Sequence, residues 1–222
     1  MKRKVLITGA SRGIGKAIAK KFSDNDYELY TPTRQELDLS DRKSVLEFVE
    51  QYKDVCFNVI INNAGINDIN AIEDITDNEM DAMIQTNLVS PIMLLRGLVA
   101  PMKQQKYGRI VNIGSIWAVV SKGGRCVYSA TKNGIHGVTN TLSVELAKDN
   151  ILVNTVCPGF TLTELTKKNN TEEQIQSICE EIPMGRMAMP EEIAEVVYFL
   201  ASDSNTYLTG QKITVDGGFA ER

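Results

Sequence analysis

Tyr128 and Lys132 lie four positions apart in the segment YSATK, and Ser115 precedes Tyr128 by thirteen positions. Side chains at positions i and i+4 share one face of a helix, so the Lys132 ammonium is expected beside the Tyr128 phenol. A nearby cation lowers the pKa of a tyrosine from about 10, which suits proton transfer at neutral pH. The Ser115 hydroxyl, on the loop after a hydrophobic strand, is placed to hold a carbonyl oxygen that Tyr128 protonates. The alternative is an amphipathic helix with an ordinary buried tyrosine.

A glycine-rich turn near the N-terminus supports the first interpretation. Residues 4–8 predict a short buried strand, which the segment GASRGIG and then a helical pattern follow. Gly9, Gly13 and Gly15 allow a tight turn and a close approach to a pyrophosphate, whose charge the N-terminal amides of the helix would bind. The spacing GxxxGxG differs from the GxGxxG fingerprint, and a glycine turn without a ligand is the alternative.

Together these motifs resemble the short-chain dehydrogenase/reductase family, and the resemblance runs from Lys2 to Phe219. The matching motifs, in chain order, are TGxxxGxG at Thr8 to Gly15, NNAG at Asn62 to Gly65, a helical Asn87, Ser115, Tyr128 and Lys132, and Pro158-Gly159 with Thr163. The segments IPMGRMAMPEEIA, LTGQ and VDGG are similar to the beta-oxoacyl-carrier-protein reductase branch of that family.

The resemblance implies a nicotinamide-dependent oxidoreductase that interconverts a ketone and a secondary alcohol. Tyr128 would be the acid/base, and Lys132 would tune it and bind the nicotinamide ribose. Ser115 would orient the carbonyl, and Asn87 would hold a water for proton relay. The residues expected to contact the cofactor are Gly9, Ser11, Arg12, Gly13, Ile14, Gly15, Thr33, Arg34, Asp38, Asn63, Ala64, Gly65, Tyr128, Lys132, Pro158, Gly159, Thr161 and Thr163.

Length and composition are typical of one α/β domain spanning residues 1–222. The chain has 222 residues, of which 43% are hydrophobic and 23% charged. A strand begins almost at the N-terminus, and the apolar runs are shorter than the roughly 18 residues of a membrane span, so a cytoplasmic protein without a membrane partner is expected. The net charge of −4 argues against nucleic-acid binding. The four cysteines form no CxxC pair and there is one histidine, so no metal site is predicted.

Alternating strand and helix patterns predict a doubly wound parallel sheet of the Rossmann type. Strands are expected near 4–8, 27–33, 57–62, 109–114, 151–156 and 211–215. Helices are expected near 13–24, 41–53, 77–105, 126–148, 164–181 and 190–202.

The segment after the second strand is too short for a crossover. Between Arg34, at the end of that strand, and ELDLSD (36–41), which resembles the family's next strand, only Gln35 remains. A parallel crossover needs about a dozen residues. Pro32 lacks an N–H and is tolerated in a strand mainly at a sheet edge. We therefore expect the third strand and its preceding helix to be reduced or absent, with Arg34 to Asp38 extended across the adenosine end of the cofactor site.

The same segment bears on the choice of cofactor. In dinucleotide sites an acid at the end of the second strand binds the ribose 2′-OH, whereas a basic residue there accepts a 2′-phosphate. The chain offers Thr33 and Arg34, and Arg12 in the glycine turn adds a second cation. These residues predict NADP(H), with NAD(H) less favoured; the alternative is that both arginines are only solvated. The resemblance places Asp38 near the adenine.

The substrate is expected to be a small carbonyl or alcohol compound, either anionic or attached to a carrier. Trp117, Lys122 and Arg125 lie near the catalytic tyrosine in the sequence, and Lys167 and Lys168 lie on the expected lid. These cations favour an anionic substrate, although charges that are merely solvated would give the same pattern.

Three functional classes remain open. The reductase branch would supply an acidic carrier protein, which Lys106 and Arg109 would help to dock, but Asp149 lies where that branch often has a base. A reductase or dehydrogenase of a keto sugar or other polar metabolite is the second candidate. A non-catalytic nucleotide-sensing protein is disfavoured, because such relatives usually lack the Tyr/Lys pair.

The helices predicted at 77–105 and 126–148 carry apolar residues on more than one face. These residues are Met83, Ile84, Leu88 and Ile92, and Ile135, Val138, Leu142 and Leu146. One face would pack on the sheet and another on a partner, and the resemblance points to a homodimer or homotetramer.

Overall fold

A six-stranded parallel sheet forms the centre of the computed structural model, which describes residues 2–221. Its strands are β1 (Lys4–Ile7), β2 (Glu28–Tyr30), β3 (Val59–Asn62), β4 (Gly108–Ile113), β5 (Ile151–Pro158) and β6 (Lys212–Val215). They lie in the order β2-β1-β3-β4-β5-β6. The strand order reverses direction at β1, as a doubly wound sheet requires.

Eight α-helices surround the sheet in the described part of the chain. They are α1 (Gly13–Asp24), α2 (Arg42–Tyr52), α3 (Asp77–Ile84), α4 (Ser90–Gln105), α5 (Cys126–Leu146), α6 (Glu164–Asn169), α7 (Glu172–Glu181) and α8 (Pro190–Ala201). Successive strand side chains point to opposite faces, so Leu6 packs in the core with α2 and α4, whereas Val5 and Ile7 pack in the core with α1 and α8. The predicted doubly wound Rossmann-type architecture is confirmed.

Two of the predicted helices are interrupted. The stretch predicted at 77–105 contains a π-helical turn, Gln85–Val89, between α3 and α4. The stretch predicted at 164–181 breaks at Asn170, whose backbone is extended, and restarts with Thr171 and Gln174 in a reciprocal capping box. The sequence TEEQ carries that capping signal, so the second break was readable from the residues.

The helical stretch Asp77–Gln105 has the length and apolar composition of a membrane span. Half of its most apolar window is buried inside the protein. Leu94, Leu95, Leu98 and Met102 all belong to the core between this stretch and the sheet. Packing against the sheet therefore accounts for its apolar composition.

No helix or strand lies between β2 and α2 in the structure, which confirms that the third strand and its preceding helix are absent. β2 is the edge strand, as the position of Pro32 predicted. The prediction that Arg34 to Asp38 run extended is wrong. Glu36 N and Leu37 N both donate to Thr33 O, at 3.1 and 2.9 Å, and form a tight turn.

The turn forms because its side chains satisfy its own backbone. The Glu36 carboxylate accepts hydrogen bonds from Thr33 N at 2.8 Å and from Thr33 Oγ1 at 2.9 Å. Leu37 and Leu39 are buried in the core against α2. Both leucines also line a surface groove that begins beyond β2, so the groove is apolar at that end.

Candidate active site

The groove lies where the strand order reverses, at the carboxyl ends of β1 and β3. Thr8 follows β1 and Asn63 follows β3. Hydrogen bonds from these two residues join the loops after the two strands. Asn63 Nδ2 donates to Thr8 O at 2.9 Å and to Gly9 O at 3.1 Å, and Thr8 Oγ1 accepts from Asn63 N and Ala64 N. These four bonds fix the glycine turn against the NNAG segment.

The glycine turn is built for close contact with an anion. Gly9 and Gly13 have φ of +67° and +53°, a region that favours glycine, and a Cβ on Gly15 would lie 2.2 Å from Gly9 O. Arg12 is the N-cap of α1 and makes no side-chain cap hydrogen bond, and no acidic residue occupies the first turn. The N-terminal amides of α1 therefore keep their capacity to bind a phosphate.

Two adjoining cavities form one groove. A cavity of about 680 Å³ extends from the glycine turn to Arg34 and Asp38, and one of about 530 Å³ extends to Tyr128 and Lys132. The residues that line both are Gly9, Ser11, Ala64, Gly65 and Ile66. All of the cofactor residues predicted from the sequence line one cavity or the other. With an anion-binding turn at its middle, the groove fits a dinucleotide.

Ser115, Tyr128 and Lys132 meet at one end of this groove, as their spacing predicts. Ser115 follows β4, and its Oγ accepts a hydrogen bond from Trp117 N at 3.2 Å. The Ser115 hydroxyl lies close enough to the Tyr128 phenol to lower its pKa. Lys132 Nζ lies 5.7 Å from the centroid of the Tyr128 ring and donates to Ile113 O at 2.8 Å. This hydroxyl, phenol and ammonium set can hold and protonate a carbonyl oxygen.

The electrostatic balance at Tyr128 differs from the prediction. Burial raises the pKa of the Tyr128 phenol, and this effect exceeds the lowering by the Ser115 hydrogen bond and by the charge of Arg125. Lys132 is only 4% exposed, and burial lowers its own pKa to about 8. The buried ammonium is thus costly in this environment, and the strand carbonyl that binds it offsets part of that cost.

Asn87 is buried and does not line the groove. Its Nδ2 donates to Ile66 O at 2.8 Å and to Thr131 Oγ1 at 3.3 Å, while its Oδ1 accepts from Ile66 N at 2.9 Å. The side chain thus ties the loop after β3 to α5, a positioning contact that sequence reasoning missed. It depends on the π-helical turn around Asn87, which apolar periodicity does not reveal.

At the other end of the groove, Arg34 is already paired. Arg34 Nε lies 3.1 Å from Asp38 Oδ2, and Asp38 also accepts hydrogen bonds from Ser40 N and Ser40 Oγ. The Ser40 hydroxyl bond and, to a smaller extent, Arg34 lower the pKa of the Asp38 carboxyl. A phosphate bound by Arg34 must therefore compete with this exposed ion pair.

Lys106 and Arg109, the two cations predicted to dock a carrier, lie away from the groove. Arg109 is buried at the start of β4 and donates to Gly108 O, Asn150 O and Asn205 O. Arg109 lies six residues before Ser115, about 20 Å away along an extended chain, so it is at the opposite end of the parallel strands from the site. Lys106 pairs with Asp149 near the same end. Burial makes Arg109 unavailable to dock a carrier, whereas the docking role of Lys106, whose side chain is exposed, stays a prediction.

Comparison with known proteins identifies the family. A sequence profile described as Enoyl-(Acyl carrier protein) reductase matches residues 28–220. The chain belongs to the short-chain dehydrogenase/reductase family. It is therefore an oxidoreductase.

Relatives and solved structures match nearly the whole chain. The 3-oxoacyl-(acyl-carrier-protein) reductase FabG of Buchnera aphidicola subsp. Schizaphis graminum is 36% identical over 98% of this chain and 97% of its own. The structure of ElxO with NADP bound is 29% identical, with a TM-score of 0.92 and full coverage of both chains. The ligand-free aldohexose dehydrogenase of Thermoplasma acidophilum is 28% identical, with a TM-score of 0.92 over 100% of this chain and 95% of its own.

The buried Lys132 ammonium should lower the stability of the protein. Because burial lowers its pKa from 10.5 to about 8, the folded state binds fewer protons than the unfolded state between these values, so wild-type stability rises with pH across that window. Lys132→Met removes the buried charge, and we expect it to stabilise the protein by about 1–3 kcal/mol at pH 7, less at pH 10.

Urea unfolding at both pH values measures this effect. Lys20→Met, at an exposed position on α1, is the matched control and should show no comparable difference between the two pH values. A Lys132→Met variant that is less stable than wild type at pH 7, or equally shifted at both pH values, contradicts the assignment.

Proposed function

We propose that this protein is an NADP(H)-dependent oxidoreductase that interconverts a ketone and a secondary alcohol. The observation that carries the proposal is the convergence of Ser115, Tyr128 and Lys132 at one end of a groove that has the N-terminus of α1 at its middle. A nicotinamide cofactor, when bound in this groove, would supply a hydride to the carbonyl carbon. Ser115 donates a hydrogen bond to the carbonyl oxygen, and Tyr128 transfers its phenolic proton to that oxygen.

Lys132 and the glycine turn complete the proposed binding site. A Cβ on Gly65 would lie 3.3 Å from Lys132 Nζ, so only the bare backbone leaves room for a ligand beside the ammonium. The backbone amides at the start of α1 would bind the pyrophosphate of the cofactor. Asn87 acts as a positioning residue in this scheme, because its amide holds Ile66 rather than facing the groove.

The preference for NADP(H) is supported by the residues beyond β2. Thr33 and Arg34 stand where an acid would repel a 2′-phosphate, and both line the groove. Arg12, in the glycine turn, lines the adjoining cavity. ElxO, which matches this chain over its full length, binds NADP.

A 3-oxoacyl thioester is the first candidate substrate, supported by whole-chain likeness to the Buchnera reductase. A polar keto metabolite is the second candidate. It is supported by likeness to the Thermoplasma aldohexose dehydrogenase and by the placement of Arg125 in the cleft wall. A sensor without activity is disfavoured, because both Tyr128 and Lys132 are present and line the groove. The cytoplasmic location stays a prediction.

Tyr128→Phe tests the proposed chemistry. The variant keeps the ring but loses the proton that the carbonyl oxygen requires, so we expect a fall in kcat of about 10²–10⁴. NADPH affinity should stay close to the wild-type value, because the hydroxyl contributes little to cofactor binding. NADPH oxidation measured with 3-oxoacyl thioesters, keto sugars and keto acids provides the rates. Retention of more than a tenth of kcat excludes the assigned role.

Arg34→Ala tests the cofactor preference. Loss of a charge-assisted phosphate contact should weaken NADPH binding by about 1.5–3 kcal/mol, while NADH binding, which serves as the internal control, should change little. The double change Thr33→Asp and Arg34→Ala should move the preference further toward NADH. Cofactor titrations measure both constants, and equal losses for the two cofactors would show that Arg34 does not contact the 2′-phosphate.

A homodimer or homotetramer is proposed from the exposed apolar residues. Ile84 and Ile92 are exposed on α3 and α4, and Val144 on α5 is 82% exposed. On α5, Ile135 and Leu146 are buried whereas Val138 and Leu142 are only partly buried, so the second apolar face of this helix stays a prediction. Light scattering at micromolar concentration should give two or four times the chain mass of 24.6 kDa, and a monomeric mass would refute the assembly.

A further inference from the structure

The side chain of Arg125 forms part of the wall of the catalytic cleft. Arg125 is the N-cap residue of α5, three positions before Tyr128, and makes no side-chain cap hydrogen bond. Its guanidinium carbon lies 5.4 Å from the centroid of the Trp117 ring, and both residues line the cleft with Ser115 and Tyr128. The charge of Arg125 acts on the Tyr128 phenol. The guanidinium is therefore held close to the proposed position of the carbonyl.

Arg125 lacks the partners that a buried guanidinium requires. Its Nε and Nη1 are shielded from solvent and have no hydrogen-bond partner. Burial lowers the pKa of Arg125, and no carboxylate among the described residues offsets that effect. A buried donor without an acceptor is destabilising, and stacking on a tryptophan offsets only part of that cost. The protein itself thus leaves this cation incompletely satisfied.

We propose that Arg125 is a specificity-determining residue that binds a carboxylate of the substrate, so that the substrate class is an oxo acid rather than a neutral ketone. The inference rests on the proposed function, which places the carbonyl oxygen between Ser115 and Tyr128. Arg125 lies less than one helical turn before Tyr128 and lines the same cleft, so the carboxylate and the carbonyl would belong to one small substrate.

A carboxylate fits this position better than other anions. A guanidinium is more weakly hydrated than an ammonium and matches the planar carboxylate in geometry, which suits a partly desolvated site against an indole ring. An ester or thioester offers only a neutral oxygen, which recovers less of the desolvation cost of Arg125. The inference therefore favours a free oxo acid over a carrier-bound thioester.

Trp117 provides a direct binding readout, because it is the only tryptophan in the chain. Titration of wild-type protein with butanoate should give a saturable change in tryptophan fluorescence, and butanamide should bind at least tenfold more weakly. Arg125→Gln should abolish this preference, and Arg125→Lys should retain part of it. Lys122→Gln is the matched control, because the Lys122 ammonium lies 5.6 Å from the same ring on an exposed side chain.

Steady-state kinetics gives a second readout. We expect wild-type protein with NADPH to reduce 3-oxobutanoate with a higher kcat/KM than its methyl ester. Arg125→Gln should lower kcat/KM for the acid at least 30-fold and leave the ester within threefold. Equal losses for acid and ester, or no loss for either, would overturn the proposal, because a structural role of Arg125 does not distinguish the two.

The two readouts separate the inference from the proposed function. Butanoate binding that depends on Arg125, without reduction of any ketone, supports the carboxylate site and contradicts the reductase. Reduction of acid and ester at equal rates, without butanoate binding, supports the reductase and overturns the carboxylate site. Tighter binding of methyl phosphate than of butanoate, again lost in Arg125→Gln, would overturn the choice of carboxylate.

Discussion

The buried ammonium of Lys132 is the constraint on which the site depends. An ammonium in this environment is stable only if a good acceptor meets it, and Ile113 O at the end of β4 is that acceptor. α5 must therefore pack closely on β4 and β5. A buried polar chain holds it there, because Asn112 Nδ2 donates to Thr139 Oγ1 on α5, which in turn hydrogen-bonds Thr155 on β5. The same contacts bring Tyr128 to Ser115.

Local geometry explains which parts of the site could be predicted from the sequence. Tyr128 and Lys132 are one helical turn apart, and Gly9 follows a strand directly, so their relative positions depend on a few residues of chain. The turn after Thr33 depends instead on which side chain captures the free backbone groups, and Glu36 does so. The contact of Asn87 with Ile66 joins residues 21 positions apart, which no local pattern reveals.

Charge partners were the least predictable property. Arg12 and Arg34 were expected to bind a phosphate, yet Arg34 contacts Asp38, which also accepts a hydrogen bond from Ser40. Such an exposed pair is worth about 0–1 kcal/mol, so a phosphate that replaces it still gains most of its own contact energy. Arg109 was expected on the surface as a docking cation, but its guanidinium is buried. It donates hydrogen bonds to the backbone carbonyls of Asn150 and Asn205.

Two cations, Lys132 and Arg125, lie near Tyr128, and their charges differ in how they respond to a bound anion. The Lys132 ammonium donates to a strand carbonyl and keeps its charge below a pH of about 8, whereas the proposed substrate carboxylate would neutralise the charge of Arg125. Neutralising Arg125 removes one of the two effects that lower the pKa of the phenol, and burial then acts more strongly. A raised pKa keeps the phenol protonated at neutral pH but makes it a weaker acid. With an anion at Arg125, the Ser115 hydroxyl is therefore the remaining group that favours ionisation of the phenol.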